Sequence, residues 1–190
     1  MIKSIQILFL CALANLCMIS TSTADDHLPS DSVYQLQSDW RDQDGNTLKL
    51  ADLAGKKQLL SMIYTQCEHT CPAIVSTMKM IANKQHNDIA YVLVSLTPET
   101  DTEAVLKSFA EKHDLDLSQW KLLRGNAQSI RELAMVLGIK YQLINDEQVN
   151  HSNTISILDE QGRLVFQAPG FPSEVDKISE KLKTHHHSMK

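Results

Sequence analysis

The stretch Gln58-Leu-Leu-Ser-Met-Ile-Tyr64-Thr-Gln-Cys67-Glu-His-Thr-Cys71-Pro72 decides how the chain is read. Gln58 to Tyr64 is a short, nearly unbroken apolar run, the pattern of a central strand buried on both faces. Two cysteines follow at once. Pro72 then sits where the first turn of a helix tolerates it, and Ile74, Val75, Met78, Ile81 and Ala82 recur at helical spacing as far as Gln85. Strand, loop and helix place both thiols at the carboxyl end of a strand and the mouth of a helix, where open α/β sheets build their sites.

Further elements extend this unit in both directions. Ile89 to Leu96 reads as a second buried strand, and the segment after Thr97-Pro98 as a helix through about His113. Trp120 to Leu123 is a short strand, and Asn126 to Leu137 a helix closed by Gly138. Thr154–Leu158 and Leu164–Phe166 flank an Asp-Glu-Gln-Gly turn as a hairpin, and Glu174 to Leu182 is a final amphipathic helix. On the amino-terminal side, Val33 to Trp40 is a candidate strand, and the Asp42–Asn46 turn joins it to a short Leu48–Leu50 strand. This order predicts a thioredoxin-like α/β fold: a central mixed sheet flanked by helices, preceded by an amino-terminal β-hairpin.

Length and composition agree with one such domain. The 190 residues are 43% apolar and 22% charged, with 6 Gly and 5 Pro, which is globular rather than disordered. The net charge of −5 and the absence of a Lys/Arg run give no footprint for nucleic acid. Residues 1–24 differ in kind: Lys3, an apolar run from Ile5 to Ile19, and small residues at Ser22-Thr23-Ala24 read as a cleaved signal peptide. The run is shorter than the roughly 20 residues of a bilayer span, and an uncleaved membrane anchor is the alternative. The exported domain would then be residues 25–190, with its core at about 33–182, and Cys67 and Cys71 its two cysteines.

A domain of this size has no need of a disulfide scaffold, and a staple between Cys67 and Cys71 would close too short a loop to stabilise much. Chemistry is the better reading. Cys71 in the first helical turn meets the positive end of the macrodipole, which favours its thiolate.

With these residues in view the chain resembles the Sco/SenC proteins, thioredoxin-fold copper chaperones for cytochrome c oxidase. The resemblance rests on Cys67-x-x-x-Cys71-Pro72, on Val94-Ser-Leu-Thr-Pro98-Glu-Thr-Asp101-Thr102, and on Asn150-His151-Ser152 ahead of Ile155-Ser-Ile-Leu-Asp159-Glu-Gln-Gly162. It implies Cys67, Cys71 and His151 as metal ligands. Two thiolates and one imidazole suit Cu(I), with room for a further ligand to Cu(II), and zinc is the chemical competitor. The resemblance also implies delivery to cytochrome c oxidase subunit II, or to another copper-accepting protein, by a monomer in the periplasm or another exported compartment. Asn150 stands where many members carry Asp, which would support the imidazole from outside.

The second function is thiol-disulfide exchange on the Cys67–Cys71 pair. The two are coupled, since a disulfide removes both thiolates from copper, and either needs a thiol reductant in the exported compartment. His151 is expected in an exposed loop, able to swing onto a metal. His69 is a candidate further ligand, the His185–His187 tail is metal-capable by composition, and His27, His86 and His113 read as surface residues. Met78 fits the core stripe of its helix better than a thioether copper site.

Overall fold

The computed structural model describes residues 28–67, 70–85, 89–144 and 149–184. The expected signal peptide, His27, Glu68, His69, His86 and the His185–His187 tail lie outside the described residues. In chain order the elements are β1 (Trp40–Asp42), β2 (Thr47–Leu48), β3 (Lys57–Ile63), α1 (Thr70–Ala82), β4 (Ile89–Ser95), α2 (Glu103–Lys112) and β5 (Trp120–Arg124). There follow α3 (Ala127–Val136), β6 (Tyr141–Leu143), β7 (Val149–His151), β8 (Thr154–Leu158), β9 (Leu164–Pro169) and α4 (Val175–Thr184). No helix among the described residues is long and apolar enough to cross a membrane.

Seven strands form one mixed sheet in the order β2-β1-β5-β4-β3-β8-β9. β3, β4 and β5 run parallel, while β8 is antiparallel to β3 and β1 antiparallel to β5. The α/β class, the mixed sheet and the leading hairpin are therefore those the sequence predicts. Strand alternation divides the core in two. Leu59, Ile63, Tyr91, Leu93 and Leu122 face α1, α2 and α4, while Leu60, Met62, Val92, Val94 and Leu123 face α3 and the amino-terminal segment. A strand packed on both faces has no polar side to show, which is why these runs lack alternation. Each fully buried Leu or Ile contributes about 1.5–3 kcal/mol of transfer free energy.

Local chemistry sets the boundaries. Asn126 accepts from Ser129 N–H at 2.8 Å to start α3, and Gly138, at φ 63°, ends it in the left-handed region. Asp42 accepts from the backbone N–H of Asp44 and Asn46 at 3.0 and 2.9 Å, which folds the β1–β2 turn. The buried Lys57 donates to the carbonyl of Leu182 at 2.8 Å, tying the start of β3 to the last turn of α4.

Two expectations change. Val33 to Trp40 is not a strand: Ser32 Oγ accepts the Tyr34 N–H at 3.0 Å and turns Val33–Gln35 into a short 3-10 helix, so Val33 and Tyr34 are both buried. A local hydroxyl here outcompetes the ladder, and apart from an isolated bridge between Ser32 and Arg163 strand pairing begins at Trp40. The second strand is also shorter than expected, because Leu50 opens a 3-10 turn whose Asp52 carboxylate accepts from Lys49 N–H at 2.7 Å.

Candidate metal centre

Cys67, Cys71 and His151 come together where the ends of β3 and β7 meet the first turn of α1. Cys67 is half-buried and packs against the core beneath α1, and Cys71 is wholly buried. They are not joined by a disulfide. The Cys71 N–H, one of the amides that a helix start leaves without an intrahelical partner, donates to Cys67 Sγ at 3.3 Å. The helix therefore holds the first sulfur with its backbone and presents the second with its side chain.

His151 arrives by a route the sequence did not suggest. It is half-buried in a strand rather than exposed in a loop, because β6 and β7 pair as a separate two-stranded ribbon with Tyr141 opposite His151. The ribbon sets the Nε2 atom 3.8 Å from Cys71 Sγ. Its Nδ1 lies 3.1 Å from the carbonyl of Ser152, and a carbonyl only accepts, so Nδ1 carries the proton and Nε2 turns its lone pair to the sulfur. Burial also holds the imidazole below its usual pKa, in the neutral form a metal needs.

Burial dominates the electrostatics of Cys71 as well. It pushes the thiol far above its ordinary value, overriding the helix macrodipole that was expected to lower it, and the neighbouring Cys67 and Asp101 act in the same direction. A bare thiolate is disfavoured in this position, whereas one neutralised by a cation is not.

Among the described residues no three acidic, Cys or His groups are drawn into a closed metal cage. The separation of the pair nevertheless suits a shared ion. Bonds of about 2.3 Å to sulfur and about 2.0 Å to nitrogen, the values for zinc, put the two donors about 3.7 Å apart at a trigonal angle, close to the separation seen. The donor set is soft and fits Cu(I).

Two residues outside the expected set organise the centre. Asp101, wholly buried, accepts from Ser95 Oγ at 2.7 Å, Thr97 Oγ1 at 3.1 Å and Thr65 Oγ1 at 2.5 Å, with Thr65 N–H at 3.3 Å. It thereby pins the loop leading to Cys67 onto the turn after β4. Tyr64 stands edge-on to His151, with centroids 5.8 Å apart and planes at 80°. Burial, reinforced by the neighbouring Cys67, holds its phenol above the ordinary pKa.

Asn150 is exposed, and the imidazole takes its outer support from Ser152, the role envisaged for a carboxylate at position 150. Met78 is buried in the core as expected, and His113 packs on Phe109 at the end of α2. Neither joins the centre.

A family model described as SCO1/SenC matches residues 30–187. The SCO1 protein homolog of Bacillus subtilis is 29% identical over 132 residues, 66% of this chain and 68% of that protein. Arabidopsis thaliana ScoI with copper bound superimposes with a TM-score of 0.67 at 20% identity, over 77% of this chain and 96% of that one. BsSco, described as a member of the Sco family of cytochrome c oxidase assembly proteins with a disulfide switch, gives 0.69 at 23% identity, over 80% and 92%. At such identities the two structures establish the shared thioredoxin-like fold.

Proposed function

The chain belongs to the SCO1/SenC family, and from that footing we propose that it is an exported copper metallochaperone. It holds copper as cargo on Cys67, Cys71 and His151 and supports assembly of the copper site of cytochrome c oxidase, with subunit II as the acceptor. Residues 1–24 act as the export signal. The observation that carries this reading is the 3.8 Å approach of a neutral imidazole, lone pair inward, to a buried thiol. One ring nitrogen is held by a backbone carbonyl and the other is aimed at a cysteine sulfur, the arrangement of a metal-binding histidine with its outer support.

The residues divide the work. Cys71 is fixed by its helix and Cys67 lies half-buried beside it, so Cys67 is the sulfur an acceptor reaches first. His151 sits on a two-stranded ribbon with few tertiary ties, and is the ligand best placed to let go. A copper ion leaves by exchanging these donors one at a time for those of the acceptor, without change in its charge.

A second use of the same pair is supported by the contact between Cys71 N–H and Cys67 Sγ, which keeps the two cysteines adjacent. In thiol-disulfide exchange Cys67 thiolate attacks a partner disulfide and releases one partner thiol. Cys71 then resolves the mixed disulfide, releasing the second thiol and leaving Cys67–Cys71 oxidised. Copper titration of the reduced protein, beside a disulfide-reductase assay on the same sample, separates the two. Stoichiometric copper binding with weak reductase activity supports the chaperone, and the converse supports the oxidoreductase.

A further inference from the structure

An aspartate in the turn before a helix ordinarily caps that helix. Here Thr102 takes that part, accepting from Val105 N–H at 3.4 Å to start α2, and the Asp101 carboxylate turns elsewhere. Its Oδ2 accepts from Ser95 Oγ at 2.7 Å and Thr97 Oγ1 at 3.1 Å, at the end of β4 and the turn that follows. Its Oδ1 accepts from Thr65 Oγ1 at 2.5 Å, on the loop leading to Cys67, and the Thr65 N–H is shared between the two oxygens at 3.4 and 3.3 Å. Ser95 Oγ accepts the Thr97 N–H at 3.0 Å, which leaves its own proton for the carboxylate. One oxygen thus serves each segment. The Leu96 N–H, donating to the Ile63 carbonyl at 2.7 Å, ties the same two segments at the end of β3. From Thr65 two short steps lead to the first sulfur: the Cys67 N–H donates to the Tyr64 carbonyl at 3.3 Å, and Cys67 Sγ accepts the Cys71 N–H at 3.3 Å.

We propose that Asp101 is a positioning residue of the copper site: it fixes Thr65, and through the turn from Thr65 to Cys67 it sets the place of the first sulfur before copper arrives. This deepens the copper reading and rests on it. Cys71 belongs to a helix and His151 to a ribbon, so regular structure holds both, whereas Cys67 lies in the loop between β3 and α1. Asp101 is wholly buried, and in a dry setting each of its contacts resists breaking because the groups released would stay unpaired. The loop is therefore ordered at folding, and its ordering does not subtract from the free energy of binding copper.

The test compares Thr65→Val, which removes the hydroxyl that meets Oδ1, with Thr65→Ser, which keeps it, and with Asp101→Asn, which replaces one acceptor oxygen by a donor. Asn126→Ala removes the cap of α3, touches none of these groups, and reports what lost stability does by itself. Reduced protein is titrated with Cu(I) against a chromophoric chelator, and the Cu(II) form is examined for its sulfur-to-copper charge-transfer band. Thr65→Val should keep one copper per chain, lose about tenfold in affinity, the lower end for a group that acts through a ligand, and weaken the band. Thr65→Ser should restore both, Asp101→Asn should lose at least as much as Thr65→Val, and Asn126→Ala should bind as the unmodified protein does. The Thr65 pair decides the matter even if Asp101→Asn does not fold. If Thr65→Val matches the unmodified protein in affinity and band, the positioning role is overturned. If Thr65→Val and Asn126→Ala lose affinity alike, the loss is one of general stability and the proposal is again overturned. Failure of the unmodified protein to bind copper through sulfur would instead overturn the copper reading on which the proposal rests.

Discussion

His151 Nε2 lies 3.8 Å from Cys71 Sγ although eighty positions separate the two residues. The approach depends on a ribbon of two three-residue strands at one end and on the first turn of α1 at the other. Neither side chain reaches the other by local structure, so their meeting is a property of the whole fold.

The cysteines should dominate copper affinity. Cys67→Ser and Cys71→Ser are each expected to weaken Cu(I) binding by more than the about 10–100-fold typical of an outer-shell partner, and His69→Ala by far less. Competition titration of the reduced variants checks this. Truncation after Leu182 should leave binding intact, and loss of binding on truncation would move the site to the His185–His187 tail.

Asn150→Asp should change copper affinity little. Nδ1 already donates to Ser152, so a carboxylate on the exposed Asn150 side chain has no ring proton to accept. A clear gain in affinity on titration would show that the ribbon rearranges when loaded.

Asp101→Ala should destabilise the fold by on the order of 3 kcal/mol, because it strands the Thr65 N–H and the Ser95 and Thr97 hydroxyls in a dry environment. Urea unfolding of the apo protein measures it. A loss below about 1 kcal/mol would mean that water replaces the carboxylate.

Gly170→Ala should cost about 1–3 kcal/mol, the usual range for overpacking. An added Cβ would lie 2.4 Å from Asn153 Oδ1 and 2.8 Å from Ile74 Cγ1, where the segment after β9 meets α1 and the residues following His151. Thermal unfolding tests the cost, and an unchanged midpoint would show that the Asn153 side chain simply turns away.

Much of this was legible in the chain. The run Gln58–Tyr64 reads as a buried central strand because both of its faces are covered, and Cys67 and Cys71 follow it with Pro72 marking the helix. The ribbon was not legible. Tyr-Gln-Leu and Val-Asn-His are each three residues long, too short for alternation to stand out, and pairing rather than propensity makes them strands. For the same reason His151 read as a loop residue. Tyr64 was hidden differently: as the last apolar residue of a strand it read as core, and only the fold shows its ring edge-on to His151. The thiol chemistry of Cys71 was misjudged because helix position is visible in sequence, whereas full burial is not.

X-ray absorption at the copper edge, on the reduced, copper-loaded protein and on His151→Ala, tests the proposed ligand set most directly. The unmodified protein should show two sulfur neighbours and one imidazole, and His151→Ala should keep both sulfurs, lose the imidazole and leave the reduction potential of the Cys67–Cys71 pair nearly unchanged. An imidazole signal that survives in His151→Ala, or copper with no sulfur neighbour in the unmodified protein, would contradict it.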